Sequence, residues 1–225
     1  MLEAKKSRWF EYVFSIYNRN LMQRRFHSFH ISGLHHLENR ETNVPLLLYA
    51  NHSSWWDGLV IFEIVRRFSI GFFVMMEEKQ LRKLSLFRRL GAFSVVRENP
   101  REAVKSINYA AKVLLENDNQ TILIFPQGEI LPNDLRPLHF YNGFARIIEK
   151  VGDCSAFPVA LCYEFQGNFK PEIYVKIAAP DFFKGGVNFD SRAATKVLEN
   201  RLTGTLDDLK QDFTSNKMIG YEKLF

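Results

Sequence analysis

Cysteine is scarce in this sequence, and long apolar runs are absent from it. Cys154 and Cys162 are the only cysteines among 225 residues. Both lie in or beside apolar stretches, and no histidine or aspartate stands at a ligand spacing, so we expect reduced structural thiols and neither a disulfide nor a zinc site. No run reaches the roughly 20 apolar residues of a transmembrane helix. The N-terminus lacks the apolar core of a signal peptide, so none is expected.

Internal repeats, linkers and a Gly-x-Ser-x-Gly stretch are also missing, so no serine nucleophile on a sharp turn is indicated. The length suits one α/β domain with a substantial core and is short for two. A net charge of +5 suits an anionic partner or an ordinary basic surface. Because the basic residues are spread out and form no recognised nucleic-acid motif, we expect no DNA or RNA partner.

A histidine and an aspartate follow a predicted strand in the first half of the chain. The apolar run 44–50 predicts that strand, and His52 and Asp57 come directly after it, at the edge where α/β sheets place their ligands. On a continuous helix of roughly 3.6 residues per turn the two side chains would diverge by about 140°. They meet if His52 lies in the turn and Asp57 lies in the first turn of a helix capped by Ser53 or Ser54.

This pair has a chemical interpretation and a structural one. A carboxylate that contacts one imidazole nitrogen fixes the tautomer and leaves the other nitrogen as a general base for a hydroxyl. The alternative is a helix-capping aspartate beside a histidine whose hydrogen bonds are satisfied. The spacing alone leaves both open.

Four segments in the right order resemble the motifs of the PlsC-like glycerolipid acyltransferase family, the lysophosphatidic-acid-acyltransferase type. The first and third segments carry most of the specificity, and the resemblance covers roughly residues 30 to 180. The segments are Asn51-His52-x-x-x-x-Asp57, Gly91-Ala92-Phe93-Ser94-Val95-Val96-Arg97, Phe125-Pro126-Gln127-Gly128 and Phe157-Pro158-Val159.

The resemblance implies direct acyl transfer. His52 would remove the proton of an acceptor hydroxyl as it attacks an acyl thioester of coenzyme A or acyl carrier protein, and Asp57 would orient His52. Backbone N–H groups near Gly128 or at the helix start after His52 would hold the thioester oxygen. No covalent acyl-enzyme is needed, and no metal or cofactor is expected beyond the acyl donor as co-substrate.

The resemblance also implies a setting for the reaction. The acceptor would be a lipid alcohol, as in phospholipid biosynthesis, with 1-acyl-glycerol-3-phosphate as the usual example. The enzyme would be cytoplasmic and peripheral on the inner face of the membrane. The predicted substrate-binding residues are Asn51, Arg97, Gln127, Gly128 and Glu129.

The third motif departs from the family pattern, which is Phe-Pro-Glu-Gly-Thr-Arg. Gln127 stands at the glutamate, Glu129 at the threonine and Ile130 at the arginine. In similar enzymes that arginine, together with the one matched by Arg97, holds the acceptor phosphate, which isoleucine cannot do. A phosphate-free alcohol such as a glycolipid is therefore an alternative acceptor. The cations that would replace the missing arginine are Arg136, His139 or Arg146.

Alternating strand and helix segments predict an α/β fold, with a mostly parallel central sheet flanked by helices and an N-terminal amphipathic helical segment. The predicted division is residues 1–30 for that segment and 31–225 for the acyltransferase domain. A single helix is predicted over 77–90. Residues 190–215 are predicted to form one or two helices, interrupted at Gly204.

Aromatic and basic residues alternate through residues 1–30. On a helix, one stripe collects Trp9, Tyr12, Val13, Ile16 and Tyr17, and Phe10 and Phe14 widen it. Such a face suits a membrane interface, with rings at headgroup depth and arginines on anionic lipid, and similar enzymes often use an N-terminal helical segment in this way. The alternative is a helix packed on its own domain.

A group of four histidines carries little chemical meaning. His27, His30, His35 and His36 have only Glu38 as a nearby carboxylate, so a solvated turn region is expected and a metal site is not. For the chain as a whole, two further function classes remain open. One is a non-catalytic lipid-binding protein that kept the fold, and the other is a thioesterase in which water replaces the alcohol.

Overall fold

A single extended sheet organises the molecule. The computed structural model describes residues 1–116, 119–186, 189–215 and 218–225. Within them the strand order is β4-β3-β5-β2-β6-β7-β1-β9, and β8 pairs with β6. The strands are β1 (Phe29–Ser32), β2 (Leu46–Ala50), β3 (Gly71–Glu77), β4 (Ala92–Val95), β5 (Gln120–Ile124), β6 (Cys154–Glu164), β7 (Glu172–Ile177), β8 (Asp181–Phe183) and β9 (Glu222–Lys223).

Five neighbouring strands of this sheet run in one direction. Strands β4, β3, β5, β2 and β6 pair in parallel. Beyond them β7 is antiparallel to β6, β1 is parallel to β7, and β9 is antiparallel to β1. The predicted mostly parallel α/β sheet is confirmed.

Helices cover both faces of the sheet. The chain places α1 (Arg8–Arg25), α2 (Leu34–Glu38), α3 (Asp57–Arg67), α4 (Glu78–Lys83), a 3₁₀ helix (Ser85–Leu90), α5 (Pro100–Glu116), α6 (Gly143–Val151) and α7 (Ser191–Thr214). Side chains of β2 alternate between two cores: Leu47 and Tyr49 pack with α5, α6 and α7, while Leu46 and Leu48 pack with α1 and α3. Burial on both faces explains why this strand is an unbroken apolar run.

The predicted helix over residues 77–90 is wrong in its continuity. The backbone leaves the helical region at Leu84, with φ −108° and ψ 46°, and a 3₁₀ helix follows. The apolar residues Leu81, Leu84, Phe87 and Leu90 stand three positions apart. This spacing matches the 3.0 residues per turn of a 3₁₀ helix better than the roughly 3.6 of an α-helix. Leu90 is buried, whereas Leu84 is 45% exposed.

The predicted interruption at Gly204 is also wrong, because α7 runs through it. A glycine inside a helix costs about 1 kcal/mol relative to alanine. Burial of the leucines on one face of α7 outweighs that cost. These are Leu198, Leu202, Leu206 and Leu209.

The histidine group fits the expected solvated region only in part: His27 and His35 are exposed, but His30 is held in the sheet. His30 lies in β1, stacks on Tyr174 at 5.1 Å, and has its Nε2 atom 2.8 Å from Ser28 Oγ and 3.2 Å from Glu172. Burial lowers the pKa of His30 against the raising effect of Glu172. Ser28 and Tyr174 donate hydrogen bonds to the Glu172 carboxylate. The network joins β1 to β7 at the sheet.

Both cysteines are buried and free among the described residues. Burial raises the pKa of each thiol to about 12. A thiol protonated at neutral pH is a poor nucleophile, which agrees with the structural role predicted for Cys154 and Cys162.

Candidate active site

The motif residues gather at the carboxyl edge of the parallel strands. Strand β2 ends one residue before Asn51, β5 ends directly before Phe125, and β4 ends two residues before Arg97. Because these strands are parallel, their carboxyl ends lie at the same edge. The sheet therefore brings together segments that are far apart in the sequence.

His52 and Asp57 form the pair that their spacing predicts. His52 lies in the turn after β2, Asp57 is the first residue of α3, and His52 Nδ1 is 2.9 Å from Asp57 Oδ2. Asp57 is fully buried, whereas 21% of the His52 side chain is exposed. A carboxylate accepts a hydrogen bond from the proton on Nδ1. Because a neutral imidazole carries one proton, Nε2 then has a free lone pair and can take a proton.

Neither serine occupies the predicted N-cap position of α3, although Ser54 Oγ accepts a hydrogen bond from the Trp56 N–H at 3.3 Å in the turn before the helix. Trp56 occupies the N-cap position without a side-chain bond. The backbone N–H groups of Ser53 and Ser54 donate to Asp57 Oδ2 at 2.8 and 2.9 Å. Asp57 thus closes the turn that carries His52.

His52 is held on three further sides. Its backbone N–H donates to Gln127 Oε1 at 2.9 Å, and its carbonyl accepts from the Leu131 N–H at 2.8 Å. The imidazole stacks on Phe125 at 4.2 Å. Gln127 is buried, so the predicted substrate-binding glutamine lies under the histidine turn and positions its backbone.

Asn51 is likewise engaged by the protein. Its Nδ2 atom donates to the Leu161 carbonyl and to Asn133 Oδ1, and its Oδ1 atom accepts from the Leu161 N–H at 2.8 Å. Strand β6 extends past the end of β2, whose last residue pairs with Val159. The buried Asn51 side-chain amide therefore binds the Leu161 backbone groups, which lie beyond the last residue of β2.

Arg97 and Gly128 lie side by side at this edge. Gly128 has φ +73°, and a Cβ atom there would stand 2.5 Å from Arg97 Nη1. The guanidinium lies over the Tyr141 ring, 5.4 Å from its centroid. Within the described residues Arg97 makes no ion pair, so it is available to an anion. Glu129 and Ile130 are exposed.

The suggested replacements for the missing arginine are not equivalent. Arg136 is committed, because it pairs with Asp207 and donates to the carbonyls of Asn133 and Leu135. Arg146 is exposed and stands 3.9 Å from Glu149, and His139 is exposed. Among the described residues, Arg97 and His139 make no ion pair, and of these two it is Arg97 that lies beside Gly128.

Three of the N–H groups in the predicted oxyanion regions already have partners within the protein. The Gly128 N–H donates to the Phe125 carbonyl at 3.0 Å, and the N–H groups at the helix start bind Asp57. In the described part of the chain, no group of three or more histidine, cysteine, aspartate or glutamate residues is placed to hold a metal ion.

A comparison with protein-family models identifies the family to which the chain belongs. The model named Acyltransferase matches residues 32–162, more than half of the chain. The chain belongs to the acyltransferase family. The family resemblance read from the motifs is confirmed, and the chain is an acyltransferase enzyme. No curated protein matches the chain in a sequence search.

One residue of the candidate site carries no motif signal. The Tyr163 hydroxyl donates a hydrogen bond to Asp57 Oδ1 at 2.6 Å, although Tyr163 stands 106 residues further along the chain. It ends the apolar run of β6, where a tyrosine is an ordinary strand residue. Only the parallel pairing of β6 with β2 places it under α3.

Proposed function

We propose that this acyltransferase moves a fatty acyl group from an acyl thioester, on coenzyme A or acyl carrier protein, to a hydroxyl of a lipid acceptor. The observation that carries the proposal is the contact between His52 Nδ1 and Asp57 Oδ2, with the imidazole partly exposed at the sheet edge. His52 takes the acceptor proton at Nε2 as the hydroxyl oxygen attacks the thioester carbonyl. Asp57 stabilises the imidazolium that forms, and the imidazolium returns the proton to the sulfur as the carbon–sulfur bond breaks and the thiol leaves.

The proposed acceptor is a lysophospholipid of the 1-acyl-glycerol-3-phosphate type. Arg97 supports it, because its guanidinium lies over Tyr141, beside Gly128, and makes no ion pair within the described residues. The exposed Ile130 in place of an arginine favours the second candidate, an acyltransferase for a phosphate-free lipid alcohol.

An acceptor panel separates the two candidates. Acyl-CoA and acyl carrier protein donors are offered with 1-acyl-glycerol-3-phosphate or with its phosphate-free monoacylglycerol, and thiol release is followed. We expect the phosphate-bearing acceptor to be preferred, and Arg97→Gln to raise its KM by about tenfold or more, as loss of a charge-assisted contact of ~1.5–3 kcal/mol implies. Turnover of the phosphate-free acceptor alone, unchanged in Arg97→Gln, would establish the second candidate.

We also propose that the enzyme docks peripherally on an anionic membrane through α1. One face of this helix packs on the domain: Asn18 Nδ2 donates to the Leu59 carbonyl at 3.2 Å, Phe14 packs edge-on against Phe62, and Arg19 pairs with Glu63. The other face is exposed. It carries Trp9 (70%), Tyr12 (61%), Val13 (43%), Ile16 (50%) and Tyr17 (57%).

The composition of this exposed face fits a lipid headgroup layer. Aromatic rings favour the interface, and the exposed cations Arg8, Arg24 and Arg25 of the same helix attract anionic lipid. Leu86 in the neighbouring 3₁₀ helix, and Leu84 directly before that helix, add exposed apolar surface. None of the helices among the described residues has the length and apolar character to cross a bilayer.

Vesicle cosedimentation tests the docking face. We expect binding to phosphatidylglycerol-containing vesicles and little binding to pure phosphatidylcholine, because each basic residue near an anionic surface contributes about 1 kcal/mol. The Trp9→Ser/Tyr17→Ser variant should lose at least tenfold in vesicle affinity. Phe182→Ser/Val197→Ser, which removes two comparably exposed apolar side chains from β8 and α7, is the control. Equal losses in both variants would contradict docking through α1.

A further inference from the structure

Asp57 has a second side-chain partner besides His52. The Tyr163 hydroxyl lies 2.6 Å from Asp57 Oδ1, the oxygen that does not face the histidine. The other oxygen, Oδ2, already accepts from His52 and from the N–H groups of Ser53 and Ser54. Among the described residues, Tyr163 is the only hydrogen-bond donor to Oδ1.

The direction of this hydrogen bond is fixed by the chemistry of the pair. An ionised carboxylate only accepts, so the phenol must donate. Burial, followed by the charge of Asp57, raises the pKa of Tyr163 well above its ordinary value. The phenol therefore keeps its proton at every pH at which the enzyme would work.

Tyr163 is itself firmly placed. It stands opposite Ile173 in the antiparallel pairing of β6 with β7, and its ring packs on Phe26 at 5.7 Å. Phe26 also contacts Trp56, the residue before Asp57, with ring centroids 5.1 Å apart. Tyr163 and Phe26 both lie outside the residues matched by the family model.

We propose that Tyr163 is a positioning residue for acyl transfer: its hydroxyl fixes the rotation of the Asp57 carboxylate, so that Oδ2 stays on His52 Nδ1. The inference rests on the proposed function, since it concerns the base of that reaction. Without the phenol, Oδ1 loses the only donor that the described residues offer it, and the orientation of the carboxylate is held from the Oδ2 side alone. The His52 tautomer is then less firmly held, although no group that touches the substrate is removed.

The test compares two tyrosine variants. Tyr163→Phe removes the hydroxyl and keeps the ring. Tyr174→Phe is the matched control, because the Tyr174 hydroxyl donates to the Glu172 carboxylate at 2.9 Å from the adjacent strand. We expect Tyr163→Phe to lower kcat by about tenfold, part of the 10²–10⁴ that a general base supplies, with KM unchanged within about twofold. Tyr174→Phe should leave both near wild type.

A second readout does not depend on turnover. NMR of protein with nitrogen-15-labelled histidine detects the proton on His52 Nδ1. This proton gives a downfield signal, which is assigned by its loss in His52→Ala. We expect the signal to persist in Tyr174→Phe and to move and broaden in Tyr163→Phe. Identical spectra and equal kcat values in the two tyrosine variants would overturn the inference. If wild type releases no thiol in a His52-dependent manner, the proposed function falls, and the Nδ1 signal still decides whether Tyr163 holds the pair.

Discussion

His52→Ala should lower kcat by about 10² to 10⁴, the usual contribution of a positioned general base. The imidazole makes no hydrogen bond to the core other than that to Asp57 within the described residues, so the variant should fold. Its thermal midpoint should stay close to that of wild type.

The Asp57→Asn variant separates the charge of Asp57 from its orienting role. The amide oxygen takes the Oδ2 position, because the Ser53 and Ser54 N–H groups donate there, so Nδ1 keeps its proton while the imidazolium loses the negative charge that stabilises it. We expect a loss of kcat similar to that of His52→Ala, although His52 is still present.

The control for His52→Ala is His27→Ala, since the His27 side chain is exposed and it is the His27 backbone N–H that makes the contact to Pro171. A His52→Ala enzyme that retains more than about a tenth of wild-type kcat would exclude His52 as the base.

Asn51→Ala should cost about 2–4 kcal/mol in the free energy of unfolding. The substitution removes three hydrogen bonds and leaves the buried Leu161 N–H unpaired among the described residues, whereas the Leu161 carbonyl keeps its donor Asn133 Nδ2 at 3.1 Å. One buried unpaired group costs about 1–3 kcal/mol, and each further lost hydrogen bond costs about 0.5–1.5 kcal/mol. Because His52 is the next residue, kcat should fall as well. Denaturant unfolding monitored by circular dichroism measures the first effect, and steady-state rates measure the second.

Asn119→Ala is the control for Asn51. Its side chain also donates to a backbone carbonyl, that of Ser69, but at an exposed position, so we expect a change within about 0.5 kcal/mol. If Asn51 instead bound substrate, as its motif position suggests, Asn51→Ala would raise KM and leave the unfolding free energy unchanged.

Local sequence patterns predicted the contact between His52 and Asp57 and the mostly parallel sheet. His52 and Asp57 are five residues apart, and a turn followed by a helix start is enough to bring them together. The parallel sheet followed from the alternation of apolar runs with amphipathic segments, because crossover connections between parallel strands need such segments. Both predictions rest on patterns that are local in the sequence.

The contacts that hold the pair in place depend on strand order, which one sequence does not reveal. Leu161 and Tyr163 reach Asn51 and Asp57 because β6 lies next to β2 and outruns it. The same holds for Gln127, whose motif position suggested substrate contact but whose amide oxygen meets the His52 backbone. At Gly204 and Leu84, packing and local backbone geometry overrode the residue-by-residue expectation.

Product stoichiometry tests the central claim, that His52 directs acyl transfer from a thioester to a lipid hydroxyl, most directly. Free thiol and acylated lipid are quantified together by mass spectrometry for wild type and for His52→Ala. The account predicts equal amounts of the two products in wild type and the loss of both in the variant. Thiol released without acylated lipid, or equal products that persist in His52→Ala, would contradict it.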